Sequence, residues 1–384
     1  MAFTLTEEQV MIQTLARDFA REVIMPGAAE RDRTHEFPAE NFRRMAELGF
    51  MGMMVPQEYG GAGVDTVSYA LALTEVAYAC ASTAVVMSVH NSICCHSLVE
   101  FGSPEQKQLW LPRMCDGQCI GAFALTEPGA GSNPVAQRMR AELDGDHWVL
   151  NGTKRFITTG KNAGVIITTA VTDKSKSHRG ISAFLVPQGT PGLSVLKLED
   201  KLGLKASDTA ELVFEDCRIP AANLLGKPGE GFKVAMVALD CGRIGIAAQS
   251  VGVAQACLDE AMAYCHAREQ FDRPISDFQA LRFAMADMAT EIEAARLLCL
   301  NAASLKDLGR KYTKEASMAK LFASEMVNRV AASAIQLHGG YGYSKEYAVE
   351  RHYRDARVFT IYEGTSEIQR LVISNNLLGP PSRP

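Results

Sequence analysis

A single carboxylate, Glu363, stands in the segment IYEGTSEIQ (residues 361–369), where its surroundings suit proton transfer. Gly364 follows it, and Ser366 with Gln369 three residues later has the form of a capping box that begins a helix. Glu363 is therefore predicted just outside a helix N-terminus. Two interpretations stay open at this point: an acidic residue that complements the helix dipole, and a general base.

A second candidate for binding chemistry is the glycine-rich segment FALTEPGAGSN (residues 123–133). Its backbone N–H groups can hydrogen-bond the edge of a planar ring or a phosphate, although an ordinary turn is the alternative. The strand WVLNGTKRFIT ends in Phe156, Ile157 and Thr158, which can lay an aromatic face and a hydroxyl against a planar cofactor. The segment is not G-x-G-x-x-G in a βαβ unit, and no Walker A motif occurs, so a Rossmann site is disfavoured.

The elements that would position these residues change type twice along the chain. Apolar residues at steps of three and four predict helices for residues 1–120, and alternation with a period of two predicts short strands for 121–231. Helical periodicity returns for residues 232–384. The predicted fold class is α+β, mostly α, with an N-terminal α-helical domain, a central antiparallel β barrel or sandwich and a C-terminal four-helix bundle.

Several helix ends are predicted from capping and stop residues. Thr6 with Gln9 has capping-box form at the N-terminus, and Ser276 or Asp277 is expected to cap the second helix of the bundle. Gly309 is expected to end that helix. The four bundle stretches are roughly 232–266, 277–309, 313–338 and 344–359, and Gly339 is expected to end the third.

Composition limits the class of protein. The 384 residues are 47% hydrophobic and 22% charged, which is typical of a soluble globular protein. A net charge of −5 argues against nucleic acid as a partner. No run of about 18 apolar residues occurs, so no membrane span is expected.

The N-terminus and the cysteines indicate the compartment. The first twenty residues form an amphipathic helix pattern without a signal-peptide core, which predicts a bacterial cytoplasmic protein, or one of the mitochondrial matrix if a leader was removed. The ten cysteines form no C-x-x-C pair and no disulfide-dense layout, so we expect small core side chains and no metal site.

Six segments together resemble the ordered motifs of the acyl-CoA dehydrogenase family. They are TEPGAGSN, NGTKRFIT, LDCGRIGIAAQ (239–249), AREQFDRPISDFQ (267–279), QLHGGYGY (336–343) and IYEGTSEIQR (361–370). They occur in the family's order and cover essentially the whole chain, and the likeness is closest to the short-chain (butyryl-CoA) branch. The resemblance implies three domains of the predicted types, a homotetramer arranged as a dimer of dimers, FAD at subunit interfaces, an acyl-CoA substrate and an electron-transfer flavoprotein as acceptor.

The resemblance also implies roles for individual residues. Residues 123–132 would bind the flavin ring, Phe156 to Thr158 would pack on it, and a neighbouring subunit would hold the pyrophosphate and adenosine with residues such as Arg268. The implied FAD-binding residues are Phe123, Ala124, Leu125, Thr126, Gly131, Ser132, Phe156, Ile157, Thr158, Arg268, Phe271, Gln279, Gln336, Leu337, His338, Gly339, Gly340, Thr365, Ser366 and Glu367. The implied substrate-binding residues are Ser132, Asp240, Cys241, Gly242, Arg243 and Gly364.

The resemblance makes Glu363 the catalytic base that removes the α proton of the thioester. Some branches keep their base at the position of Gly242, where glycine cannot serve. Arg243 is expected to orient the Glu363 loop or the substrate. Two residues depart from the family's usual pattern: Asn133 replaces an Asp, for which a capping oxygen and a local loop change are expected, and Phe156 replaces a Trp.

The size of the acyl group is predicted from the helix around residues 74–95. Its bulky run at Ala84–Val89 favours a short or compact acyl chain. Alternatives in the same fold are a dehydrogenase or an oxidase for a branched, cyclic or dicarboxylic acyl-CoA. A non-catalytic flavin-bearing scaffold is the alternative from another class.

Overall fold

The computed structural model describes residues 4–380, and helices fill its N-terminal part. The Thr6 side chain accepts a hydrogen bond from Gln9 N, so the predicted capping box is confirmed. The helices are α1 (Glu7–Phe19), α2 (Ala28–Thr34), α3 (Ala39–Glu47), α4 (Thr66–Ala79), α5 (Ala81–Ser88), α6 (His96–Phe101) and α7 (Pro104–Cys115), with π-helical segments at Ala20–Ile24 and Val89–Cys95.

Strands follow in the middle of the chain and form an eight-stranded sheet in the order β6-β7-β3-β2-β4-β5-β8, with β1 paired to β4. Most neighbours are antiparallel, as predicted, but β1 runs parallel to β4, so the sheet is mixed. This pairing joins the end of the helical part to the sheet. The strands are β1 (Gly121–Ala124), β2 (Arg140–Asp144), β3 (His147–Thr158), β4 (Val165–Val171), β5 (Ile181–Pro187), β6 (Leu193–Leu198), β7 (Thr209–Pro220) and β8 (Leu224–Leu225).

Helices return at Gly231 and continue to Leu378. They are α8 (Gly231–Ala267), α9 (Gln279–Asp307), α10 (Thr313–His338), α11 (Val349–Ala356) and α12 (Ser366–Leu378), with a short hairpin of β9 (Glu269–Gln270) and β10 (Arg273–Pro274) after α8. Gly309 and Gly339 lie at the ends of α9 and α10 with positive φ, as predicted. The expected cap of α9 was wrong: Phe278 is its N-cap and no side chain caps it.

Helix α8 lies at the centre of the structure and is buried along most of its length. It packs against α4, α9 and α10, so one apolar core joins the N-terminal helices to the bundle, while the sheet has a smaller core of its own. By length and composition α8 could cross a membrane, with a mean hydropathy of 1.3, but 78% of that window is buried inside the protein. This burial is what the core helix of a bundle shows.

All ten cysteines lie within the described residues as buried free thiols, which confirms their interpretation as core side chains. The element types change at residues 121 and 231. We propose the domain limits 1–120, 121–231 and 232–384 on this basis.

Candidate active site

The loop that carries Glu363 lies between residue 360 and the start of α12. Thr365, not Ser366, is the N-cap of α12, and its side chain accepts a hydrogen bond from Ile368 N at 3.4 Å. The predicted capping box of Ser366 and Gln369 was therefore wrong: the N-cap lies one residue earlier, and the third helical residue, Ile368, has no side-chain acceptor. Ser366 is buried and donates to Glu325, so its hydroxyl serves a contact with α10.

Gln369 and Lys320 hold the backbone of this loop. Gln369 Nε2 donates to the carbonyls of Glu363 at 3.2 Å and Gly364 at 2.9 Å. Lys320 Nζ, from α10, donates to the Gly364 carbonyl at 2.7 Å. Glu363 has a φ of 51° and Gly364 a φ of 94°, values that are strained or forbidden for most side chains, so these hydrogen bonds stabilise a conformation that costs energy.

The carboxylate of Glu363 is shielded from solvent, and neither of its oxygens has a hydrogen-bond partner within the described residues. Burial raises the pKa of Glu363 to about 7, while the positive charges of Lys320 and Arg243 pull it downwards. A buried carboxyl without partners is costly and commonly marks a functional site. Its pKa places it near neutrality, where a general base works best.

Gly242 of α8 faces this carboxylate. A Cβ built on Gly242 would overlap Glu363 Oε2 and would lie 3.2 Å from Ile93 Cδ1. The base therefore lies in the space between α8 and the π-helical segment Val89–Cys95. The buried Tyr69 of α4 is close enough for the charge of Glu363 to act on its hydroxyl, which also contacts Ser88 Oγ at 3.3 Å.

Arg243 is buried beside this pocket, and none of its hydrogen bonds found in residues 4–380 goes to the Glu363 loop. Its guanidinium donates to Asp240 Oδ1 at 2.7 Å and to Ser317 Oγ at 3.3 Å. The expectation that Arg243 orients the loop or the substrate stays a prediction, and the observed hydrogen bonds to the loop backbone come from Lys320 and Gln369. Asp240 also accepts from Thr313, which fixes its carboxylate at the edge of the pocket.

The glycine-rich segment after β1 is held by a buried ion pair. Lys154 Nζ donates to Glu127 Oε1 at 2.9 Å and to the Leu125 carbonyl at 3.0 Å. The Glu127 carboxylate also accepts from the N–H groups of Arg138 and Met139. Gly129 and Gly131 are exposed and have no neighbour within 4 Å of an added Cβ, so a ligand can approach the backbone there.

Phe156 lies at a β-bulge where the register of β3 against β7 shifts. It has a φ of 59° and is 57% exposed, with the Arg155 guanidinium 5.0 Å from the ring centre. The bulge turns the ring outwards, and Ile157 points into the sheet core while Thr158 is half-buried. An exposed aromatic ring on a strained residue is a surface that a planar ligand can cover.

The glycine-rich segment and the base are connected through two neighbouring residues. Ile93 lies against Gly242, and the side chain of Cys94 fills the space next to Gly121, the first residue of β1. Phe123 of β1 packs against the same core as Tyr362. Strand β1 and the base thus share one wall, the π-helical segment. Asn133 makes no capping hydrogen bond, contrary to its expected role.

A surface cavity of about 620 Å³ lies at the end of α8 and α10. It brings together predicted FAD-binding residues from two parts of the chain: Arg268, Gln336, Leu337, His338, Gly339 and Gly340. Phe271, which is 85% exposed, and Gln279 do not line it. The buried His338 imidazole stacks on Tyr264 and hydrogen-bonds the Ala334 carbonyl, so it supports the cavity floor.

A second cavity, of about 400 Å³, contains Thr365, Ser366 and Glu367 with residues of α10 and α11. It shares no lining residue with the first. The predicted FAD-binding residues thus form three surfaces in one protomer: the sheet surface at 123–132 and 156–158, the 365–367 cavity and the 268/336–340 cavity. Exposed backbone, an aromatic face and a guanidinium fit a planar cofactor that carries a pyrophosphate.

Helices, a central sheet and a second set of helices place a buried carboxylate, with no hydrogen-bond partner within residues 4–380, beside the core helix α8. Comparison with known proteins then gives the family. The chain matches the N-terminal domain of acyl-CoA dehydrogenases over residues 6–118, the middle domain over 122–217 and the C-terminal domain over 229–378. The chain belongs to the acyl-CoA dehydrogenase family, whose members are flavoproteins that use FAD.

Relatives of known name agree with this. The chain is 52% identical over 374 residues to the mitochondrial short-chain specific acyl-CoA dehydrogenase of Mus musculus, covering 97% of this chain and 91% of the relative. It is similar to the butyryl-CoA dehydrogenase structure of Megasphaera elsdenii, with a TM-score of 0.97, 44% identity and 98% and 100% of the two chains covered. A chain from the structure described as the electron transferring flavoprotein of Acidaminococcus fermentans has a TM-score of 0.97 and 49% identity, with 98% and 100% covered.

The sequence patterns did not indicate three residues that hold the site together: Lys320, Gln369 and Lys154. Lys320 carried a usable signal, since it lies at helical spacing between Ala316 and Ala323 on the buried face of α10. A lysine at such a position has to meet a polar partner, because an ammonium is otherwise too costly to bury. Gln369 was interpreted as a capping residue, and its true partners depend on the tertiary fold.

Proposed function

We propose that this chain catalyses the FAD-dependent α,β-dehydrogenation of a short or compact acyl-CoA to the trans-2-enoyl-CoA, with Glu363 as the base. The observation that carries the proposal is the buried Glu363 carboxylate, which has no hydrogen-bond partner within residues 4–380 and a pKa raised to about 7. A carboxylate in this state can take a proton from carbon once the substrate excludes water.

The reaction divides between the chain and its cofactor. Glu363 removes the proton from the carbon α to the thioester, and its carboxylate becomes neutral. The residues that would hold FAD, among them Phe156 to Thr158, would place it as the acceptor of the hydride from the β carbon. The Glu363 N–H donates to no group within residues 4–380, so it is available to hydrogen-bond the thioester carbonyl and to make the α proton more acidic. Ser132, Cys241 and Gly364 are proposed substrate contacts.

The cofactor is proposed to span two subunits. In one protomer the flavin ring would lie on residues 123–132 and Phe156 to Thr158, with Thr365 to Glu367 towards the rest of FAD. The partner subunit would supply the cavity at Arg268 and residues 336–340, whose guanidinium suits a pyrophosphate. A homotetramer built as a dimer of dimers would complete each site. Sedimentation of the FAD-loaded protein tests the assembly, which a monomeric holoenzyme would contradict.

The size of the acyl group is proposed from the far wall of the pocket. The Tyr362 hydroxyl donates to Gln249 Oε1 at 2.7 Å, and the Tyr362 ring stacks on Phe359 at 5.6 Å. Tyr69 and Ser88 close the neighbouring side. Tyr69 and Ser88 are fully buried and Tyr362 packs against the same core, so bulky side chains lie near Glu363, which supports a short acyl chain such as butyryl.

An electron-transfer flavoprotein is the proposed electron acceptor. The relevant observation is the likeness to a chain from the Acidaminococcus fermentans structure. Relatives include a mitochondrial enzyme of mouse and a protein of Bacillus subtilis, so the bacterial cytoplasm and the mitochondrial matrix both stay open as its compartment.

Anaerobic titration of the FAD-loaded protein with acyl-CoAs of increasing length and branching tests the function. We expect the flavin absorbance to bleach with butyryl-CoA faster than with octanoyl-CoA or a dicarboxylic acyl-CoA. Bleaching by no acyl-CoA would overturn the proposal of dehydrogenation, and a preference for long chains would overturn the proposed substrate size. Hydrogen peroxide formation under air at the rate of turnover would identify an oxidase.

A further inference from the structure

The strongest feature outside the expected active-site residues is Lys320, a lysine in the interior of the protein. It lies on α10 and is 0% exposed. Its ammonium carries three N–H donors and makes one hydrogen bond within the described residues, to the Gly364 carbonyl at 2.7 Å. A buried ammonium with donors to spare is costly, so its retention calls for a partner of opposite charge.

The carboxylate whose charge acts most strongly on Lys320 is that of Glu363. Of the two positive charges that act on the Glu363 carboxylate, Lys320 has the larger effect and Arg243 the smaller. Arg243 is already paired with Asp240 at 2.7 Å, whereas the ammonium of Lys320 is paired with no carboxylate within 4 Å in residues 4–380. The ammonium of Lys320, from α10, is thus hydrogen-bonded to the loop at the residue that follows Glu363.

We propose that Lys320 is the positioning residue for the catalytic base: its hydrogen bond to the Gly364 carbonyl fixes the loop, and its charge stabilises the ionised Glu363. The proposal rests on the function proposed above. Lys320 does not touch the reacting carbon in this scheme. It keeps the base in place and ready to accept a proton.

The other groups around Glu363 do not replace Lys320. From α8, Arg243 contributes a positive charge and Cys241 a thiol, and from α4 Tyr69 contributes a neutral phenol. Tyr362 is a second buried phenol. Around Lys320 itself, Glu325 and Glu367 favour its charged form, while burial lowers its pKa to about 8. Lys320 is therefore still a cation near neutral pH, where the base acts.

Three substitutions separate the two contributions. Lys320→Gln retains a donor for the Gly364 carbonyl but loses the charge, and Lys320→Met loses both. Lys320→Arg keeps the charge. The matched control is Lys314→Met on the same helix, since Lys314 is half-buried and pairs with Glu315 instead. For each protein the rate of anaerobic flavin reduction by butyryl-CoA is measured against pH, with FAD content and Tm.

Loss of the charge makes ionised Glu363 less stable, so the pH at which the rate is half-maximal should move upwards. We expect a shift of about one pH unit in the Gln and Met variants and a smaller one in the Arg variant. The Met variant should also lose about tenfold in maximal rate, with FAD content unchanged. Lys314→Met should match the wild type in the pH midpoint and in the maximal rate.

An unchanged pH midpoint in both the Gln and Met variants overturns the proposal, as does an equal shift in Lys314→Met. If the Met variant does not fold, the Gln variant decides by its pH midpoint. A wild-type protein that no acyl-CoA reduces would refute the proposed function instead, so the two failures are distinguishable.

Discussion

The carboxylate of Glu363 occupies the space that a side chain at residue 242 would need. Gly242 and Glu363, 121 positions apart in sequence, are thus in direct contact. One helix and one loop of the bundle therefore form a single site. A Cβ at residue 242 would force the Glu363 carboxylate to move.

Substitution of Gly242 by Ala should displace the base. We expect kcat to fall by about tenfold or more because the added Cβ overlaps Glu363 Oε2, while FAD content is retained. Steady-state turnover of butyryl-CoA measures kcat, and the flavin absorbance of the purified protein measures the FAD content. Normal turnover in Gly242→Ala would contradict the geometry.

A transplanted base is a companion test. The double variant Gly242→Glu with Glu363→Gly places a carboxylate from α8 in the same space. We expect it to be more active than Glu363→Gly alone, since a base then reaches the substrate from the other side of the pocket. Equal activity of the two variants would show that the space around residue 242 does not face the reacting carbon.

The pH dependence of kcat/KM should follow the ionisation of Glu363. Burial raises its pKa to about 7, and the base acts only when ionised, so the rate rises with pH through this value and is level above it. Below the midpoint, log kcat/KM should rise with a slope of about one. Flavin reduction measured from pH 5.5 to 9 checks this. A profile that is flat across about pH 6 to 8 would contradict the raised pKa.

Loss of the Lys154 ammonium should weaken flavin binding and stability together. Lys154→Met leaves the Glu127 carboxylate buried without its cation, which costs about 3–5 kcal/mol in comparable pairs. Because Lys154 holds the glycine-rich segment through Glu127 and Leu125, FAD occupancy should fall as well. The control is Lys161→Met, because Lys161 is exposed and lies in the turn between β3 and β4. Full FAD occupancy in Lys154→Met would show that the ion pair does not position the segment.

Arg268 should matter for FAD retention and Arg273 should not. Arg268 lines the larger cavity, whereas the Arg273 guanidinium stacks over the Phe278 ring nearby. We expect Arg268→Met to raise the Kd for FAD by about tenfold or more, because a charged contact with a pyrophosphate is lost. Arg273→Met is the matched control. Equal FAD affinity in both variants would place the pyrophosphate elsewhere.

The order of helices and strands is predictable from the sequence because apolar residues recur with one spacing along each helix and another along each strand. Four of these elements are long and carry such patterns: helices α8 and α10 and strands β3 and β7. The parallel pairing of β1 with β4 was not predictable, since β1 has four residues and reaches β4 only through tertiary packing.

The candidate site was predictable where a motif is local. Glu363 and the 123–132 segment each sit in a short, recognisable stretch. The contacts that hold the Glu363 loop were not predictable, because Lys320 and Gln369 reach Gly364 from two different helices. Thr365 and Ser366 are adjacent hydroxyls, and only the backbone geometry decides which one caps α12.

The most direct test of the account is anaerobic reduction of the FAD-loaded Glu363→Gln variant by butyryl-CoA, followed by flavin absorbance. Glutamine keeps the shape of the side chain but cannot take the α proton. We predict that this variant binds FAD and butyryl-CoA while its flavin is reduced more slowly than the wild type by several orders of magnitude, on the order of 10³ or more. Reduction at a rate near that of the wild type would contradict the assignment of Glu363 as the base.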